Sequence, residues 1–475
     1  MPEHHVRFRG DSGLTLKNPL RIIPGSICAP RGFKAAAVFC DIKRLGTGKG
    51  SEKGRKDDLA LIVSDTPAAV AGMFTTNQVC AAPVKVSARH AAGKLARAIV
   101  VNSGNANACT GAQGMRDAEE MTRATARAVA AVYDRRMEKQ KKQSTIVDRR
   151  YRKIPASHVL VCSTGRIGVP MPMANVKRGI ADTAGRLSSS RASARRAAEA
   201  IMTSDTRRKE IAVEFQLGSA RVRIGGICKG AGMIQPGMSR TGKGAAAGLH
   251  ATMLAFLTTD AAVPADYLKA ALERAVAQSF NRITVDGDMS TNDTVLILAN
   301  GAAGNVPLGK GEETFQGALN FVTLELAKMI VRDGEGVTRF ITLRVEGARR
   351  PADAEAVARS VANSTLVKTS WFGGDPNWGR ILCAMGYSSA TVNEAKVDVG
   401  YSAPGQGKVV YAVRGGQPTR VGLRTLRAIV GRPEFDLHIF LNNGRHNCVL
   451  YTSDLTEEYV EFNKGNLSDP SSLGG

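Results

Sequence analysis

A stretch of small residues, Gly237–Gly248 (GMSRTGKGAAAG), divides the chain into two halves that each alternate strand-like and helical runs. With neither a helical stripe nor strand alternation, the stretch itself reads as a mobile loop. Ahead of it, the patterns predict strands at Leu59–Val63, Ala98–Val101 and His158–Cys162, and a hairpin from Ile211 to Ile227 turning at Gly218–Ser219. Helices are predicted at Asp117–Val132 and Ser190–Met202. Behind it come a strand at Thr252–Leu257, helices at Pro264–Gln278 and Glu313–Val331, and strands at Ile283–Val285, Thr294–Leu298 and Phe340–Val345. The end is strand-rich, with Lys396–Val399, Lys408–Val413 and Leu437–Leu441. The class is α/β, and no period of the kind that marks solenoids or propellers is present.

At 475 residues with 43% hydrophobic and 5% aromatic content, the chain is enzyme-sized and globular rather than disordered. No apolar run is long enough for a membrane helix, so no membrane partner is expected. The eight cysteines lie singly, with no CxxC pair, and the seven histidines show no metal-ligand spacing. Buried thiols and no metal are expected. The formal charge of +23 raises a nucleic-acid reading, but Tyr133–Lys153 concentrates nine basic and three acidic residues in what reads as a solvated surface insertion. Aromatic residues for base stacking stand only at its ends, so no nucleic-acid partner is expected. Asp286-Gly287-Asp288 and Asn292-Asp293 lack the final Glu of a calcium loop and read as turn and network residues. The GTGKG of Gly46–Gly50 is an incomplete phosphate loop.

The stretch Lys229–Asp260 carries the most chemistry. A lysine-glycine turn leads through the flexible loop to Thr252, which opens an apolar strand. Threonine is common at strand starts, and position alone makes no catalyst. Its hydroxyl becomes a nucleophile when a base sits beside it, and the α-amine released by cutting the preceding peptide bond is such a base.

Lys229-Gly230-Ala231-Gly232-Met233-Ile234-Gln235-Pro236, Ala251-Thr252-Met253-Leu254 and Thr259-Asp260-Ala261 resemble the signature of the glutamate N-acetyltransferase, or ornithine acetyltransferase, family. Further blocks agree in order: Phe74–Asn77, Val101–Asn107, Ser163–Gly168, Ile201–Thr206, Asp286–Asp293 and Asp375–Arg380. The resemblance covers about Pro24 to Ser468. It implies an α/β/β/α layered sandwich, self-cleavage between Ala251 and Thr252, and ping-pong transfer of acetyl from N-acetylornithine to glutamate through Thr252. It also implies an oxyanion pair, Thr164 and Gly165, and substrate contacts from Thr206, Lys229, Thr252, Glu335, Asn463 and Ser468. No cofactor is implied; acetyl-CoA is a second acetyl donor in some members. The fragments 23–251 and 252–475 are expected to stay intertwined and pair as a heterotetramer. Residues 1–22, with Arg7, Arg9, Lys17 and Arg21, read as an extension that tilts the expected compartment to the mitochondrial matrix, with the cytoplasm as the alternative.

Two departures from the family stand out. Residues 239–250 are extra between Lys229 and Thr252, which makes Ser239 a competing nucleophile, and the basic insertion at 133–153 is the other. The rival activities are an N-terminal-nucleophile hydrolase, in which water takes the acyl group, and an inactive relative that binds acidic ligands.

Overall fold

The structure, a computed structural model, describes residues 5–6, 19–43, 55–141, 154–242, 253–309, 312–405 and 407–464. The first sheet contains, in chain order, β1 (His5–Val6), β2 (Leu20–Ile22), β3 (Phe33–Val38), β4 (Leu59–Thr75), β5 (Leu95–Asn105) and β6 (Val159–Arg166). It continues with β7 (Lys209–Leu217), β8 (Ala220–Lys229), β9 (Met238–Ser239), β10 (Leu254–Thr259) and β11 (Thr294–Ala299). Along its path the order is β1-β2-β7-β8-β10-β11-β4-β5-β6, with β3 and β9 also on β4.

Strand β4 bridges two layers. Its first part, from Leu59, pairs with β3 and β5; its last part, Ala69–Phe74, pairs with β11, and the register shifts between Val63 and Ala68, a stretch that contains Pro67. A proline has no N–H for the ladder, so the strand can change layers there. Ile99, Val101 and Leu160 of one layer share a core with Phe256, Leu296 and Leu298 of the other. On the far faces, helices Ala265–Ala277 and Glu313–Arg332 cover Val213, Ala255, Leu257 and Ile297. Helices Gly111–Lys141 and Met173–Gly185 cover Leu61, Val100 and Val161. The result is the α/β/β/α sandwich that the resemblance implied. Strand β10 is buried at every position, which explains its unbroken LAFLTT: a strand covered on both faces has no polar side.

A second sheet follows: β12 (Phe340–Ala348), β13 (Asp398–Ser402), β14 (Val410–Arg414), β15 (Gln417–Pro418), β16 (Glu434–Phe440) and β17 (His446–Ser453). Helices including Pro351–Ala362 and Thr365–Phe372 pack on it around Leu343, Val357, Trp371 and Leu437.

Three expectations change. Ile283–Val285 is not a strand; it contributes an isolated bridge to Tyr451. Within the segment read as a mobile loop, Met238–Ser239 pairs with the end of β4, while residues 243–252 lie outside the described residues. The basic insertion does not begin as a loop, because the helix from Gly111 runs on to Lys141, through Lys, Arg, Gln and Glu, all good helix formers. Its Tyr133 donates to Asp65 while Lys34 and Arg97 sit over the ring. Gly46–Gly50 lies outside the described residues.

Candidate active site

One row of residues crosses the sheet from Lys229 to Ser239. Leu254 pairs with Lys229 on one side and Thr294 on the other; Thr294 pairs with Phe74, and Phe74 with Ser239. The start of β10 is therefore one strand from Lys229. Ser239 lies three strands from Leu254, roughly 14 Å at the usual strand spacing. The competing candidate thus sits at the opposite end of the row from Lys229, on the far edge of β4. Ala251 and Thr252 lie outside the described residues; the chain is described from Met253, whose nitrogen is covalently bound to Thr252.

Met253 is held firmly. Its N–H donates to Asp293 Oδ1 at 2.6 Å, and its carbonyl accepts from Thr294 N at 3.1 Å. Asp293 is fully buried, and its Oδ2 has no hydrogen-bond partner among the described residues. Burial pushes this carboxyl well above the usual range, against the opposing pull of the Met253 N–H and of Lys229. Asn292, next in the chain, donates from Nδ2 to the carbonyls of Ser163 (2.8 Å) and Ala106 (2.7 Å). One dipeptide thereby ties the start of β10 to the end of β6, where Thr164 and Gly165 stand.

Thr164 is 1% exposed, and its hydroxyl has no hydrogen-bond partner among the described residues. A buried hydroxyl left unpaired is uncommon and invites a functional reading. Gly165 adopts φ 128, and a Cβ there would collide with the Gly104 carbonyl carbon. Only glycine lets the two backbones approach so closely.

The remaining candidates meet around a buried ion cluster. Lys229 ends β8 at 2% exposure; burial lowers its pKa, with Asp205, Glu335 and Asp293 pulling the other way. Glycine follows it at φ 147, and the Gly230 N–H donates to Asp205 Oδ1 at 2.7 Å. Thr206 donates its hydroxyl proton to Asp333, so toward a ligand it offers acceptor lone pairs. Glu335, two residues beyond Asp333, donates its N–H to the Ala231 carbonyl at 3.0 Å. Its carboxylate fills the space where a Cβ on Gly232 would be. Asn463, at the end of the helix Glu457–Asn463, donates from Nδ2 to Glu335 Oε2 at 2.9 Å. Ser468 lies outside the described residues.

Thr206, Lys229, Glu335 and Asn463, spread over 258 positions (463 − 206 + 1), are thus linked through few contacts. Asp205, Lys209, Asp293 and Asp333 were not singled out as site residues from the sequence. Asp205 and Asp293 fall inside blocks that carried the resemblance, and that was the available signal; Asp333 and Lys209 had none. No group of three metal-binding side chains occurs among the described residues.

A family model described as ArgJ matches residues 35–466. The arginine biosynthesis bifunctional protein ArgJ of Geobacter sulfurreducens is 44% identical over 438 residues, 91% of this chain and 98% of that protein. The glutamate N-acetyltransferase of Methanocaldococcus jannaschii is 42% identical over 449 residues, 94% of this chain and 99% of that protein. Among solved structures, ornithine acetyltransferase complexed with ornithine from Mycobacterium tuberculosis is 33% identical and covers 46% of this chain and 100% of its own, with a TM-score of 0.38. With a model matched over most of its length and relatives of 44% and 42% identity spanning almost all of it, the chain belongs to the ArgJ family.

Proposed function

We propose that the chain cuts itself between Ala251 and Thr252, and that Thr252 then carries an acetyl group from N2-acetyl-L-ornithine to L-glutamate as a step of arginine biosynthesis. The names of the relatives supply the substrates: one is a glutamate N-acetyltransferase, and another was solved with ornithine. The single observation that carries the mechanism is the buried, unpaired Thr164 hydroxyl on a strand tied through Asn292 to the start of β10.

In this reading the Thr252 α-amine takes the hydroxyl proton as Oγ1 attacks the acetyl carbonyl. The C–O bond forms, the carbonyl becomes an oxyanion facing the Thr164 hydroxyl, and collapse expels ornithine, whose amine receives the proton. Glutamate's amine then attacks the acetyl-threonine by the reverse sequence. The Lys229 ammonium suits a substrate carboxylate, and the Glu335 carboxylate suits an ammonium.

The sheet supports a product whose pieces remain together. Strand β8 precedes the junction, β10 follows it, and they pair along their lengths, so a cut would leave residues 23–251 and 252–475 interleaved. Association into a heterotetramer, and acetyl-CoA as a second donor, are part of the same proposal. The bacterial and archaeal relatives favour the cytoplasm; the mitochondrial reading rests on the basic residues of 1–22 alone.

Purified protein given N2-acetylornithine and glutamate tests the reading. Stoichiometric ornithine and N-acetylglutamate are expected. Ornithine with free acetate, independent of glutamate, would make the protein a hydrolase, and no turnover would make it an inactive relative.

A further inference from the structure

The candidate substrate contacts come from separate stretches of chain, and a buried cation besides Lys229 stands where they meet. Lys209 opens β7 at 1% exposure. Its ammonium donates to Asp205 Oδ1 at 2.6 Å, to Asp333 Oδ2, and to the Arg207 carbonyl at 3.4 Å, which uses all three of its protons. Each carboxylate has a second task. Asp205 also accepts from Gly230 N and from Thr203 N (3.0 Å), fixing the turn that follows Lys229. Asp333 accepts the Thr206 hydroxyl and the Thr206 N–H (3.2 Å), and it leads into Glu335. Burial and the two carboxylates oppose each other in setting the Lys209 pKa, and the carboxylates prevail, raising it.

The other charges facing this cluster include Lys43, Lys229, Glu335 and Arg207. Arg207 reaches Asp333 Oδ1 at 3.3 Å from a side chain that is 69% exposed, so it screens Asp333 only from the solvent side. Without the Lys209 ammonium, two buried carboxylates would be pressed together, each still carrying a substrate contact. A buried ion cluster is poor evidence for stability, because well-packed apolar residues often serve as well. An apolar residue cannot hold two anions at one point.

We propose that Lys209 is a positioning residue of the acetyl-transfer site: the shared counter-ion that fixes Thr206, the Lys229–Gly230 turn and the approach to Glu335 in one arrangement. The proposal rests on the acetyl-transfer reading above. A residue that acts by aligning substrate contacts shows itself in KM more than in melting temperature.

The test compares the wild type, Lys209→Met and Lys209→Met/Asp333→Asn, measuring kcat and KM for N2-acetylornithine together with Tm. Misalignment of bound substrate is expected to raise KM roughly tenfold in Lys209→Met, with kcat less affected. The double variant removes the repulsion while its new amide carbonyl still accepts from the Thr206 hydroxyl, and should recover at least half of that loss on a logarithmic scale. A KM within twofold of wild type in a folded Lys209→Met, or a KM loss that the double variant deepens, would overturn the proposal. If Lys209→Met yields no folded protein, Asp333→Asn alone decides: a raised KM supports the proposal and an unchanged KM contradicts it. Wild-type protein without transfer activity would instead defeat the acetyl-transfer reading, so the two failures are distinguishable.

Discussion

Strand β10 begins and ends against a buried aspartate, and the two are used differently. At its far end Asp260 accepts from Arg223 N at 2.8 Å on one oxygen and from Arg31 N at 3.2 Å on the other. At its start Asp293 accepts from Met253 N on one oxygen, and the second has no partner among the described residues. Burial is the leading influence on both carboxyls and raises both. A fully satisfied buried aspartate is a structural anchor; on the proposed reading, the half-satisfied one beside the neighbour of Thr252 marks the reactive end.

The largest effect should come from Thr252, the proposed nucleophile. Thr252→Ala should leave the chain uncut on a denaturing gel and lower transfer by about 10⁴-fold or more, since the attacking group and its base are lost together. At the other end, Thr259→Val removes a bond to the Arg223 carbonyl (2.8 Å) and one from the Ala261 N–H (3.2 Å), and should cost only stability, about 1–3 kcal/mol in a urea melt.

Thr164→Val comes next. Loss of this proposed oxyanion donor should lower kcat/KM roughly 10²- to 10³-fold in the coupled assay. Tm should hold or rise, because the hydroxyl removed has no partner to lose. A fall in Tm with activity intact would make Thr164 a packing residue.

The same substitution at the two aspartates sharpens the contrast. Asp260→Asn turns an NH2 group toward a backbone N–H and should cost about 1–3 kcal/mol by denaturant unfolding. Asp293→Asn keeps an acceptor for Met253 and resembles the protonated acid that burial favours, so its cost should stay below about 1 kcal/mol. Equal losses at both sites would remove the distinction.

How much of this was legible beforehand depended on whether a pattern is local. The hairpin of β7 and β8, turning at Gly218–Ser219, and the helices near 265–277 and 313–332 follow from short-range periodicity and turn chemistry. The layered bend in β4 does not: the pattern predicts a strand only over Leu59–Val63, and the continuation through Ala69–Phe74 becomes evident only from its different partners. Helix Pro351–Ala362 and strand β17 escaped for a similar reason: their alanine- and valine-rich or mixed sequences gain definition from packing in the second core. Lys229, Thr206 and Glu335 came from the resemblance, and the cluster around Lys209 required the fold, since Asp205 and Asp333 meet across 128 residues (333 − 205).

A further effect, away from activity, is on acid stability. Burial would raise Asp205, but Lys209, Lys229 and the Gly230 N–H hold it down to about 2, below its ordinary 3.8. A carboxyl depressed in the folded state stabilises it above the unfolded pKa, and that contribution fades as the pH falls from about 4 through about 2, by about 2 kcal/mol. Asp293, shifted the other way, is favoured in its protonated form and adds nothing to that loss. Urea melts at pH 5 and pH 2.5 should show the drop, and Asp205→Asn should flatten it.

Intact mass with N-terminal sequencing of the purified protein tests the central claim most directly. Two fragments are expected, the second beginning Thr-Met-Leu-Ala-Phe; a single uncut chain, or a second fragment beginning at Ser239, would contradict the assignment of Thr252 as the exposed nucleophile.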